Sequence, residues 1–222
     1  MILSAFEVIG PVMVGPSSSH TAGAARIGLA ARRLLDDVPT RVVFGLHGSF
    51  AATGKGHATD RALLAGILGD APDSEALPHS LERALACGLQ FEFTAIDLGE
   101  EAHPNSVRIE VASATRQLTM IAASLGGGVI AVSEIDGYAV ALGASRPTLA
   151  CWHLDRAGFL AALTTLFAKT SVNIASIMTH RRTRGGAALT VVEFDEALSP
   201  AIAREAAQLP GATRVVFLAP LP

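Results

Sequence analysis

Five consecutive residues, Ser17-Ser18-Ser19-His20-Thr21, carry four hydroxyls and an imidazole. Gly15-Pro16 precede them, and an apolar-periodic stretch from Ala22 to about Leu35 follows. That order places the cluster in a loop and the first turn of a helix. The first N–H groups of a helix lack intrahelical partners and sit at the positive end of its dipole, so a carboxylate or other anion is favoured there. Serine and threonine add short donors, and His20 can move a proton near neutral pH. The same residues also read as an ordinary N-cap with spare serines.

Three further stretches carry polar residues among glycine or proline. His47-Gly48-Ser49-Phe50-Ala51-Ala52-Thr53-Gly54-Lys55-Gly56-His57-Ala58-Thr59-Asp60 follows a strand pattern and precedes a helical one. It is not a phosphate-binding P-loop, because Lys55 is followed by Gly56 and position 49 is serine where that motif needs glycine. A loop offering Lys55 or His57 to a small anion fits better. Gly99 to Asn105 is a turn holding His103, which Pro104 biases toward an extended conformation. Ser124-Leu125-Gly126-Gly127-Gly128 allows either close approach to a ligand or a sharp bend.

Other chemistries find little support. No pair among the seven histidines has zinc-ligand spacing, and His79, His153 and His180 look incidental. No Gly-x-Ser-x-Gly elbow surrounds the serines. Cys87 and Cys151 are too few for a disulfide framework, a zinc site or a four-cysteine iron–sulfur cluster. No metal site is expected on this chain. His180-Arg181-Arg182-Thr183-Arg184-Gly185-Gly186 reads as a solvated turn, since the chain is acidic overall.

The elements that must position these residues follow from periodicity. Ser4-Ala5-Phe6-Glu7 fits a capping box for a short helix ended by Gly10-Pro11. Ala24, Ile27, Leu29, Ala31, Leu34 and Leu35 mark one helix face, and Arg41 to Leu46 a buried strand. A helix over 61–68, an exposed loop over 69–78 and a short helix to Cys87 come next. Strands are expected over 90–98, 107–111, 117–123 and 129–135, then a hairpin through Asp136-Gly137 into 138–142. After a linker at 143–147 the pattern restarts: strand 148–154, turn 155–158, helix 159–167, strands 171–179 and 187–194, helix 200–208, strand 213–218. This β-α-β-β-α-β order is the ferredoxin-like unit. The fold class is α+β: an N-terminal mixed α/β domain over 1–145 and a C-terminal ferredoxin-like domain over 148–222.

In the 222 residues half are apolar and 17% charged, with a net charge of −3 and a pI near 6.1. Nothing in that balance invites nucleic acid or an anionic membrane. No apolar run reaches transmembrane length and the start lacks a basic region before an apolar core, so a soluble, cytoplasmic chain is expected.

The run Ile9 to Gly28, with Gly48-Ser49-Phe50-Ala51-Ala52-Thr53-Gly54-Lys55-Gly56-His57, Thr59-Asp60, His103-Pro104-Asn105 and Ser124-Leu125-Gly126-Gly127-Gly128, resembles the beta chain of iron–sulfur-dependent L-serine dehydratase. The resemblance covers nearly the whole chain, with Leu125 where the family often has Ile. The C-terminal unit resembles an ACT domain through Asp155-Arg156 with Gly158 and Asn173-Ile174-Ala175, although Ala157 stands where proline is usual. The resemblance implies elimination of water from L-serine, giving pyruvate and ammonia by way of an enamine. It implies a [4Fe–4S] cluster on a separate alpha chain, whose open iron acts as a Lewis acid. It assigns proton transfer or substrate orientation to His20 with Ser19 and Thr21. Ser17, Ser18, Lys55, His57, His103, Asn105, Gly126, Gly127 and Gly128 become substrate-binding candidates. In the ACT domain Asp155, Gly158, Asn173 and Ile174 would bind an effector, or the domain serves only pairing into a homodimer. The first domain is also similar to the allosteric substrate-binding domain of some phosphoglycerate dehydrogenases. A regulatory amino-acid-binding protein is therefore the alternative.

Overall fold

The computed structural model describes residues 12–170 and 172–222. The short helix expected at Ser4–Glu7, with its Gly10-Pro11 stop, lies outside the described residues. The chain divides into two compact units. One runs to Gly137 and takes in Ala141–Gly143 and Leu221–Pro222; the other holds Tyr138–Val140 and Ala144–Pro220.

The first unit is built on a mixed sheet. Its strands are β1 (Arg41–Leu46), β2 (Gln90–Ala95), β3 (Ser106–Ala112), β4 (Gln117–Gly126), β5 (Val129–Ile135) and β6 (Tyr138–Leu142), of which only Ala141 and Leu142 belong to this unit, in the order β2-β1-β3-β4-β5-β6. β1 runs parallel to β2 and antiparallel to β3. A parallel pair needs a crossover, and helices supply it: α2 (Gly48–Thr53), α3 (Thr59–Leu68) and α4 (Ser80–Ala86) all lie between β1 and β2 in the chain. α1 (Ala24–Leu35) precedes β1. Alternation along the strands places Val42, Phe44, Val107, Ile109, Val111, Leu118, Met120 and Ala122 in the core. α1 adds Ile27, Leu34 and Leu35 to it.

α1 and α3 touch backbone to backbone. A Cβ on Gly28 would stand 2.2 Å from the Leu63 carbonyl oxygen, and one on Gly66 would stand 2.2 Å from that of Ala25. Only glycine fits either place. This crossing brings together what precedes each helix: a π-helical turn, Ser18–Gly23, before α1 and a 3-10 turn, Gly54–His57, before α3.

The glycine-rich stretch after β1 is therefore α2 and a 3-10 turn rather than a loop. Its composition is poor for helix, but tertiary bonds hold it. The N–H groups of Ser49 and Phe50 both reach the Pro104 carbonyl, at 2.8 and 3.5 Å, and Phe50 is fully buried. Gly48 has φ +55° and would clash with Pro104 if it bore a side chain. Within the stretch expected to be an exposed loop, Leu77 is buried in a 3-10 turn, Leu77–His79.

The second unit comprises β7 (Thr148–Leu154), α5 (Phe159–Ala168), β8 (Ile174–Arg181), β9 (Ala187–Phe194), α6 (Pro200–Ala207) and β10 (Ala212–Leu218). The sheet order β10-β7-β9-β8, antiparallel throughout, is the ferredoxin-like arrangement expected. Leu149, Cys151, Phe159, Leu163, Phe167, Val192 and Phe194 fill its core. β8 starts later than expected because Asn173 is held outside the ladder: its N–H bonds Glu196 Oε2 at 2.9 Å and its amide bonds Asp195 Oδ2 at 2.6 Å. His153 is not incidental. It is buried, its ring stacks on Phe159 at 3.9 Å, and its Nε2 lies 2.8 Å from Thr190 Oγ1.

Candidate active site

The hydroxyl cluster forms the head of the first long helix. Ser17 caps it, with its Oγ accepting the His20 N–H at 3.1 Å. From Ser18 to Gly23 the backbone is π-helical, so most of the cluster is helical rather than loop. Such turns are rare and recur at functional sites. Thr21 is buried and its Oγ1 donates to the His57 carbonyl at 3.0 Å. Ser18 and Ser19 are half-buried on the same turn.

His20 Nε2 lies 3.1 Å from both Ser49 Oγ and Thr53 Oγ1. Its ring meets Phe50 edge-on at 5.3 Å and stands 4.9 Å from the His57 ring. Burial lowers its pKa, and the neighbouring His57 lowers it further, against a hydrogen bond with Ser49. His20 is therefore neutral at pH 7. His57 Nδ1 lies 3.1 Å from the Thr53 carbonyl. A carbonyl only accepts, so Nδ1 carries the proton and Nε2 of the neutral ring keeps its lone pair. His57 lines a cavity of about 490 Å³ together with Phe50, Lys55, Asp60 and Phe93.

The other two motifs pack against the elements that carry this pair. His103 Nδ1 accepts the Asn105 N–H at 3.1 Å, and the Pro104 carbonyl holds the head of α2. The Asn105 carbonyl accepts the Ser124 N–H at 3.0 Å. Ser124 Oγ is buried at Gly23, where a Cβ would come within 2.0 Å of it. Gly126 has φ +104° and faces Ser19 Oγ. Gly127 and Gly128 form the turn into β5, and the Gly128 carbonyl accepts from Arg26 Nη1 at 2.6 Å. Arg26 Nη2 also reaches the Leu221 carbonyl at 3.3 Å. Four motifs spread over more than half of the chain thus share one neighbourhood.

Ser49, Thr53 and Arg26 are additions that sequence reasoning did not single out as site residues. A signal existed for two of them: Ser49, Thr53 and His57 recur every fourth position, one face of a helix. Reading that stretch as a loop hid it.

The second unit does not gather its four candidates. Asp155 Oδ2 accepts from the Gly185 N–H at 3.0 Å and from Arg181 at 2.7 Å, which holds its carboxyl below the usual range. Gly158 caps α5 with φ +86°. Arg181, which Asp155 binds, ends β8, whereas Asn173 and Ile174 stand at its start, about 23 Å away at roughly 3.3 Å per residue.

No group of three or more His, Cys, Asp or Glu suited to a metal ion occurs among the described residues. Cys87 is exposed at the end of α4, and Cys151 is buried with its thiol pushed up to about 12. The two do not fit a four-cysteine cluster. No helix among the described residues is long and apolar enough to cross a membrane.

Comparison with known proteins agrees with this architecture. Residues 4–90 match the family model for the serine dehydratase beta chain and residues 148–211 that for the ACT domain. The class is thus a dehydratase-type subunit bearing an ACT module. The chain is 37% identical to a probable L-serine dehydratase beta chain of Bacillus subtilis, covering 97% of this chain and 98% of that one. It is 39% identical to the L-serine dehydratase beta chain of Peptoniphilus asaccharolyticus, over 90% of each. It belongs to the L-serine dehydratase beta-chain family. A shorter match, 46% identical over 79 residues, joins it to L-serine dehydratase 2 of Escherichia coli and covers 17% of that protein.

Proposed function

We propose that this chain is the beta subunit of an enzyme that eliminates water from L-serine to give pyruvate and ammonia. The supporting observation is that His20 and His57 meet, each held by Thr53, with His57 on the wall of a cavity with room for an amino acid. In this reading the head of the π-helical turn, with Ser17, Ser18 and Ser19, takes the α-carboxylate. Lys55 adds positive charge at the cavity wall. His57 Nε2 removes the α-proton. The released electron pair forms the Cα–Cβ double bond as the Cβ–O bond breaks, and the departing hydroxyl takes up the proton now held by His57 Nε2 and leaves as water. The enamine tautomerises to an imine, which water hydrolyses to pyruvate and ammonia.

His20 stays neutral while His57 is charged, because two cations 4.9 Å apart oppose each other. Thr21 acts through His57, whose carbonyl it holds, rather than on substrate. The [4Fe–4S] cluster belongs to a separate alpha chain in this reading, since Cys87 and Cys151 do not fit it. Pairing of two copies through the ACT module suits the open edge of β8.

The test is anaerobic reconstitution with the alpha chain, iron and sulfide, followed by assay of pyruvate from L-serine. His57→Ala is expected to lower kcat by about a hundredfold or more, the size of a lost proton-transfer group. Full activity in His57→Ala overturns the reading.

A further inference from the structure

Thr53 meets the rings of both histidines, and it does so through different atoms. Its carbonyl faces His57 Nδ1 at 3.1 Å; its hydroxyl faces His20 Nε2 at 3.1 Å. It stands where α2 passes into the 3-10 turn, with φ −121° and ψ −1°. That lies near the sparsely populated bridge region, where active-site residues recur. The hydroxyl has a single proton and is 2.9 Å from the Ser49 carbonyl, which can only accept. The proton is committed there, so Thr53 Oγ1 presents only lone pairs to His20.

The rest follows by counting protons. If His20 Nε2 were bare, it would face Thr53 Oγ1 lone pair to lone pair at 3.1 Å, and only the Ser49 hydroxyl could satisfy it. If Nε2 carries the proton, it donates into the Ser49–Thr53 pair, and the Ser49 hydroxyl is free to donate to Thr53 Oγ1 at 3.3 Å. The second pattern leaves no repulsive contact.

We propose that Thr53 is a positioning residue that fixes the two histidines in opposite tautomers: His57 protonated at Nδ1 through the Thr53 carbonyl, and His20 protonated at Nε2 through the Thr53 hydroxyl. The hydroxyl can be removed by substitution and the carbonyl cannot, so the two effects separate. The tautomer assignment stands on geometry alone; its bearing on turnover rests on the serine reading above.

The experiment is ¹⁵N-detected imidazole NMR on the full chain, above the titration range of its histidines, for wild type, Thr53→Val and Thr53→Ser. In wild type His20 is expected as the Nε2–H form and His57 as the Nδ1–H form. Thr53→Val should give a mixture of tautomers at His20 and leave His57 unchanged; Thr53→Ser should restore the wild-type pattern at both. His20 in the Nδ1–H form in wild type, or an unaltered His20 in Thr53→Val, overturns the proposal. A change at His57 in Thr53→Val that Thr53→Ser does not reverse also overturns it. In the reconstituted enzyme Thr53→Val should lower kcat about threefold to tenfold at unchanged KM, the fold-change of one hydrogen bond. If the NMR pattern holds and L-serine is not turned over even by wild type, the serine reading falls and the tautomer assignment stands.

Discussion

Replacing Gly28 with alanine tests whether the crossing of α1 and α3 holds the site together. Helix propensity alone makes the change favourable by about 0.8–1 kcal/mol. The structure opposes it. The new methyl would lie 2.2 Å from the Leu63 carbonyl oxygen and 3.1 Å from Gly66 Cα. Both are main-chain atoms, so no side chain can swing aside and the helices must part by about 1 Å. Overpacking of this kind costs about 1–3 kcal/mol, and backbone against backbone belongs at the upper end. The net loss is about 2 kcal/mol. In urea the far-UV dichroism midpoint should fall with the m-value unchanged. The single tryptophan, Trp152, belongs to the second unit, and its fluorescence should report an unshifted transition there. Gly66→Ala should behave like Gly28→Ala, and the double variant should cost less than the sum, because the first methyl already parts the helices. Gly56→Ala, with nothing within 4 Å of the added Cβ, is the neutral control. A Gly28→Ala protein as stable as wild type, or more so, refutes the backbone contact.

His57→Ala should raise the pKa of His20, since His57 is one cause of its depression; burial keeps it below 6.5, and proton NMR of the His20 ring reads both. Because the folded value is depressed, the unfolded chain binds the proton first. The stability that neutral His20 confers is complete above pH 6.5 and is lost as pH falls from there through the folded pKa, a decline that urea midpoints should show and that His20→Gln should lessen. Arg26→Met should cost about 1–3 kcal/mol in urea, because the buried Gly128 carbonyl loses its donor. Of the two thiols only Cys87 should react quickly with a maleimide, and Cys151 should react after denaturation, as mass spectrometry of the labelled peptides will show.

Strands with clean local signals were legible from sequence to the residue. Arg41–Leu46 and Val129–Ile135 match because β-branched runs sit between turn formers, and Asp136-Gly137 turns the chain as that dipeptide does. The ferredoxin-like order was equally plain, since each element there is periodic and short-linked. The head of the site was less so. Gly48–His57 is helical only because Pro104, about fifty residues on, accepts its first N–H groups, and no local rule reports that bond. His153 was overlooked for the same reason: its neighbours Phe159 and Thr190 come to it only when the sheet forms. The residues of the first unit were found by type, whereas the roles of Ser49 and Thr53 depend on where their protons go, which is a property of the assembled triad.

The sheet order has a consequence for how this protein is made. On the ribosome β1 and β2 emerge first and can pair, yet the opposite flank of β1 belongs to β3, and Ser19 and Gly23 wait for β4. About a hundred residues separate His20 from Gly126, which at 5–20 residues per second is about 5–20 s of synthesis. Throughout that interval the nascent chain carries both histidines without the frame that aligns them. A chain broken off before Ser106 lacks both β3 and β4, so its histidines never gain that frame, and it exposes the apolar flank of β1, the kind of surface that chaperones and proteases recognise.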